Sequence, residues 1–179
     1  MNRKWILPAL LALLLAFATS FVLHKGNTSG LRYHFKSASS VRKELERTID
    51  QFNKLYASFY VTGGNSDALS AFPAANLVKR RIYQDINQWR DRGQWLIHDL
   101  HNEEISRVEV LSPVWAVVET RETWDLWLRD IETGKKTGRR TNAIKVRYHL
   151  TRSGDRWGVV EYEVFGPNED LPPISEDLL

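Results

Sequence analysis

The longest sustained alternation of apolar and polar positions runs from Ser112 to Arg129, SPVWAVVETRETWDLWLR. Side chains alternate sides along an extended backbone, so one face carries Val114, Ala116, Val118, Thr120, Glu122, Trp124, Leu126 and Leu128. The other carries Trp115, Val117, Glu119, Arg121, Thr123, Asp125, Trp127 and Arg129. The first face is expected to lie on a core, and the stretch to form the central strand of a curved antiparallel sheet. Glu122 interrupts that face. An ionised carboxylate there must be paired or hydrogen-bonded to be buried.

Before this strand the period is helical. Ser40 is the expected N-cap of a helix whose stripe is Val41, Leu45, Ile49, Phe52, Tyr56 and Phe59, ended by Thr62, Gly63, Gly64 and Asn65. A short helical piece over 67–72 is followed by Pro73, where a second helix is expected to begin. Leu77, Val78, Ile82, Ile86 and Trp89 form its buried stripe, and Gly93 stops it. The run Lys79, Arg80, Arg81 reads as a solvated helix face in preference to a contact for acidic partners or lipid headgroups.

After Gly93 the period becomes that of strands: 95–101, 104–111, the long strand, 142–151 and 157–165. The polar stretch 132–140 and the triplet Ser153, Gly154, Asp155 mark hairpin connections. Helices first and a meander after them predict an α+β domain with helices packed on one face of the sheet.

The flanks differ from this domain. Asn2, Arg3 and Lys4, with two positive charges, precede an apolar run from Trp5 to Leu23, just long enough to span a bilayer. Ala16, Phe17 and Ala18 also fit a signal-peptide cleavage site, which would make the protein secreted. The run continues through Phe21, Val22 and Leu23, which favours an uncleaved single-pass anchor with the folded part outside the cytoplasm. The expected organisation is an anchor over 1–25, a linker over 26–39, a domain over 40–166 and an acidic, proline-containing tail over 167–179. Within the linker, Leu31, Tyr33 and Phe35 alternate, but the stretch reads as a tether. The tail is read either as disordered or as docking in a groove of its own domain or of a partner.

Charge and composition narrow the chemistry. A formal charge of +3 over 179 residues is too small for the basic stripe that nucleic-acid binding needs, so no nucleic acid is expected. Without cysteine, disulfides and thiolate metal sites are excluded. His98, His101, Glu103 and Glu104 cluster as HDLHNEE, but on a strand the two histidines point to opposite faces, so neither metal nor cofactor is expected. No phosphate-binding loop, dinucleotide fingerprint, nucleophile elbow or zinc-protease motif is present.

Several local strings carry a resemblance. These are Asn87–Asp91 (NQWRD), Ile105–Val110 (ISRVEV), Ala116–Glu122 (AVVETRE), Val146–Leu150 (VRYHL) and Trp157. With the order of elements, the region from about Leu69 to Phe165 resembles the IMS domain of plastid-division proteins and their cyanobacterial relatives, within the cone-shaped NTF2-like superfamily. The resemblance implies a membrane-tethered, noncatalytic domain that binds another protein outside the cytoplasm. A division role is not expected from the resemblance alone, because no J-like or other cytoplasmic domain precedes the expected anchor in this sequence. Trp115 and Trp127, on the outward face of the long strand, are the expected partner contacts.

NTF2-like enzymes supply the alternative, in which a carboxylate inside the cone acts as acid or base. Glu122 would then sit in a ligand pocket lined by Trp124, Tyr148 and Tyr162. With no second acid or base expected on that face, Glu122 is read instead as paired with a buried donor, Arg147 or a tyrosine hydroxyl.

Overall fold

The computed structural model describes residues 38–64 and 69–174. Helix α1 spans Ala38–Thr62 and buries Leu45, Ile49, Phe52 and Phe59, the expected stripe. It already includes Ser40, which therefore lies within the first turn and is not the N-cap. Gly63 and Gly64 end the helix at φ 67° and 83°, and the Gly64 N–H returns to the Phe59 carbonyl at 2.8 Å. Glycine reaches this left-handed region without steric cost.

Helix α2 spans Asn76–Arg90 and begins later than Pro73 suggested. The Pro73 carbonyl accepts from Val159 N–H, and the Ala75 N–H donates to the Val159 carbonyl, both at 2.8 Å. The segment is thus drawn out against the last strand before the helix can start. The buried stripe is Val78, Ile82 and Ile86, while Leu77 is 64% exposed, against expectation. A strict four-residue spacing turns Leu77 about 100° away from Val78. Of the short helix expected over 67–72, two positions lie outside the described residues, and Ser70 and Ala71 form a turn.

Four strands follow, β1 (Gln94–Ser112), β2 (Trp115–Asp130), β3 (Lys136–Ser153) and β4 (Arg156–Phe165), in the spatial order β1-β2-β3-β4. Every pairing is antiparallel. The stretches 95–101 and 104–111 are one strand, not two. Its register against β2 shifts between Leu100 and Asn102, Ile105 and Arg107, and Val110 and Ser112. Each bulge inserts an unpaired residue and breaks the two-residue period, so one strand looks like two in the sequence. β2 starts at Trp115, leaving Val114 48% exposed in the turn and off the core face. β3 starts at Lys136, inside the stretch expected to be loop.

The two helices cover one face of this sheet, which is the α+β arrangement expected. Leu45, Ile49, Phe52, Phe59, Ile82 and Ile86 pack there with Ala116, Val118, Val146, Tyr148, Leu150 and Val159. Across the second face the chain after β4 is held by side chains of β3. Lys145 Nζ donates to the Glu169 carbonyl at 2.6 Å and the Arg147 guanidinium to that of Pro172. The tail is docked on its own sheet at least that far, and 175–179 lie outside the described residues. So do the apolar run 5–23 and the Leu31, Tyr33, Phe35 alternation. Among the described residues no helix is long and apolar enough to cross a membrane.

The left-handed glycines just after the two helices differ in what surrounds them. A Cβ at Gly93, φ 71°, would meet nothing within 4 Å, whereas one at Gly63 would lie 2.4 Å from the Trp95 ring. Gly93→Ala should therefore cost about 1–2 kcal/mol of conformational strain. Gly63→Ala should cost roughly 1–3 kcal/mol more through overpacking, as urea unfolding of both variants will show.

Candidate functional site

Glu122 is 3% exposed on the core face of β2 and is satisfied on both oxygens. Oε1 accepts from Thr120 Oγ1 at 2.7 Å, the Tyr148 hydroxyl at 2.7 Å and Asn53 Nδ2 at 3.1 Å. Oε2 accepts from Trp124 Nε1 at 2.7 Å. Strand alternation supplies Thr120 and Trp124, two residues away on the same face. Tyr148 comes from β3 and Asn53 from α1, so one carboxylate joins the helix to the middle of the sheet.

Asn53 extends the network to β1, donating to Glu103 Oε2 at 2.7 Å. Glu103 and Glu122 stand opposite each other across the strands. Burial raises the Glu103 pKa, the Asn53 hydrogen bond opposes that, and the Glu122 charge adds to it. Burial and then the Glu122 charge lift Tyr148 well above the usual phenol range, so it stays a donor. The tyrosine half of the expected pairing is present, but Arg147 is not a partner. Its odd position in the register against β2 puts it on the second face, where it binds the buried Glu119 carboxylate at 2.7 and 3.0 Å.

A cavity of about 220 Å³ adjoins this carboxylate, and Glu122, Trp124, Tyr148 and Tyr162 all line it, with His98 and Asn142. His98 was not foreseen there. Its ring lies 4.1 Å from that of Tyr60, and its Nε2 is buried without a hydrogen-bond partner. Burial lowers its pKa from 6.5 to about 4, so the imidazole is neutral at pH 7. A second titratable base and a second carboxylate, Glu103, therefore stand near Glu122, contrary to expectation. The signal for His98 was its two-residue spacing from Leu96 and Leu100. Asn53 was legible as a polar residue four positions after Ile49 on the apolar stripe of α1.

His101 does not join His98. It occupies the first bulge of β1 and faces the other way, with Nε2 2.8 Å from Asp125 Oδ2. Thr141, His101 and Arg139 hydrogen-bond to Asp125 and hold its carboxyl well below the usual range. Among the described residues no group of three or more histidine and carboxylate side chains is placed to hold a metal ion.

Trp115 and Trp127 lie on this second face, both half-buried, with indole nitrogens shielded and unpartnered. Trp115 stands 6.4 Å from the His149 ring, and Lys136 Nζ lies 4.9 Å over the Trp127 ring. Beside Trp127 is a groove of about 360 Å³ with Asp99, Asp125, Lys136 and Arg139 in its walls.

By sequence, no family model and no curated protein matches the chain. By structure, it is similar to the crystal structure of the intermembrane space region of chloroplast protein ARC6. The TM-score is 0.58 at 15% identity, over 69% of this chain and 95% of that one. At that identity the likeness concerns the fold, and it agrees with the IMS-type fold that the sequence strings implied.

Two changes test this site. Glu122→Gln turns one acceptor oxygen into a donor facing donors and should lower stability by roughly 3 kcal/mol in urea unfolding. For His98, the unfolded chain binds the extra proton between about pH 6.5 and 4. Its contribution is therefore complete above the unfolded pKa and is lost as pH falls through that window, by about 3 kcal/mol. Urea unfolding of the parent and His98→Phe at about pH 7.5 and about pH 4.5 should show the parent losing more stability by about that amount.

Proposed function

We propose that the chain is a noncatalytic protein-interaction domain of the NTF2-like type, held at a membrane by residues 5–23 and facing away from the cytoplasm. The observation that carries the noncatalytic part is how far Glu122 is already engaged. Four donors surround the carboxylate, three on Oε1 from Thr120, Tyr148 and Asn53 and one on Oε2 from Trp124. A general base must present a free lone pair to its substrate at hydrogen-bond distance, and only the second lone pair of Oε2 is left for that. The fold shared with a region named for the space between two membranes supports the location.

In this reading the second face of the sheet meets the partner through Trp115 and Trp127. Large aromatic side chains with buried indole edges are the usual anchors of protein interfaces. The groove beside Trp127 gives a partner a concave place to enter.

The cavity supports a second reading, a small-ligand pocket. Its walls are largely aromatic and aliphatic, and His98 Nε2 lacks a partner, so an uncharged apolar molecule with one hydrogen-bonding group would fit. In that case Glu122 positions Tyr148 and Trp124 in the wall and transfers no proton.

The two readings separate in one set of measurements. Crosslinking and pulldown of the full chain from solubilised membranes should retain a partner that a folded Trp115→Ala, Trp127→Ala variant loses. The interface reading fails if both retain the same proteins. Thermal shifts with small apolar ligands, abolished by filling the cavity with Val146→Phe, would favour the pocket instead.

A further inference from the structure

The corner where the end of α2 meets the β2–β3 hairpin is strongly basic. Ile131 N–H donates to the Gly93 carbonyl at 3.0 Å, which sets Arg90 and Arg92 beside the hairpin. The hairpin itself contributes Arg129, Lys135, Lys136, Arg139 and Arg140, and all of these side chains are exposed. Among the described residues only Arg139 of this set has an ion pair, with Asp125. A Cβ at Gly134 would lie 4.0 Å from Arg129 Nη2, so that guanidinium rests over the turn.

The nearby carboxylates do little to balance these cations. Asp130 is held by the Thr133 N–H and hydroxyl, both at 2.7 Å, and Asp125 is buried under Arg139, Thr141 and His101. Asp91, Asp99 and Glu132 remain. Two cations lie over half-buried indoles, Lys136 over Trp127 at 4.9 Å and Arg92 over Trp89 at 5.1 Å. At the turn itself Ile131 is 39% exposed.

We propose that this corner docks on an anionic phospholipid surface. Lys135, Lys136, Arg129 and Arg140 would meet the headgroup phosphates, and Ile131 would enter the interfacial layer. Unpaired lysine and arginine near such a surface are each attracted to it, and an aliphatic tip with flanking tryptophans suits the headgroup boundary. A protein partner fits this corner less well, because Lys135 and Lys136 flank its tip and the buried centre of a protein interface is depleted in lysine. This surface is separate from Trp115 but shares Trp127 and Lys136 with the groove beside Trp127, and its docking on lipid does not rest on a protein partner.

The absence of cysteine allows a single label to report the docking. Full-length Ile131→Cys carrying an environment-sensitive fluorophore is mixed with vesicles of phosphatidylcholine alone or with about 30% phosphatidylserine, each containing a headgroup quencher. Flotation confirms association, and a label at Asp155→Cys, 98% exposed in the β3–β4 turn, is the control. The tip label should be quenched on the anionic vesicles, but not on the neutral ones or at about 0.5 M salt. Lys135→Gln, Lys136→Gln, Arg140→Gln should weaken docking roughly fivefold per cation, on the order of a hundredfold together. No quenching of the tip, equal quenching on both vesicles, quenching of Asp155→Cys alike, or indifference to the triple change would overturn the proposal. None of these outcomes bears on whether Trp115 holds a partner.

Discussion

A carboxylate buried in an apolar core must be met by donors from all sides, and the domain is arranged around meeting that demand at Glu122. Thr120 and Trp124 come with it on β2, Tyr148 comes from the neighbouring strand, and Asn53 comes from the helix that lies across them. Each donor fixes a different relation. The first two fix the strand's own conformation, Tyr148 fixes the register of β3 on β2, and Asn53 fixes the depth at which α1 sits. Apolar packing alone tolerates small shifts of a helix on a sheet, whereas a hydrogen bond near 3 Å does not. The same carboxylate also borders the cavity lined by Trp124, Tyr148 and Tyr162, so the residue that ties helix to sheet shapes that wall as well.

The sheet separates two kinds of burial. On the helix side the core is apolar around the Glu122 network, His98 and the Tyr60–Asp85 hydrogen bond. On the other side Glu119, Asp125, Arg147 and His149 are buried although no helix among the described residues covers them. Glu119 and Arg147 pair with each other beside the chain after β4, and Asp125 is held by His101, Arg139 and Thr141. Buried ion pairs of this kind contribute little net stability but resist replacement of one partner alone. The result is a face that is polar and already ordered, bordered by Trp115 at one end and Trp127 at the other.

What the sequence made legible follows from how regular each segment is. The core face of β2 lies where alternation put it, from Ala116 to Trp124, and the break at Glu122 marked the residue on which the network turns, but Val117, Glu119 and Asp125 on the other face are buried as well. The stripe of α1 was equally clear. Where a bulge shifts the period, as at His101 in β1, alternation no longer says which side chain faces the core, and one strand looked like two. The hairpin tip was read as loop because its composition is polar and glycine-containing, but backbone pairing carried β3 back to Lys136 regardless of side-chain type. The start of α2 was misplaced because Pro73 serves as a pairing partner of β4, a tertiary contact that local sequence does not encode. Asn53 and His98 escaped notice for a related reason. A polar residue on a buried stripe is visible, but its partner on another element is not.

Glu122 is a structural acceptor whose donors are not released in the native state. Hydrogen exchange of the Trp124 indole N–H, followed by NMR, tests this most directly, since that proton is given to Glu122 Oε2. Exchange only at the rate of global unfolding, with the same dependence on urea as the slowest backbone amides, is the predicted result. Fast exchange that is insensitive to urea would show that the carboxylate opens locally to solvent, and would contradict the account.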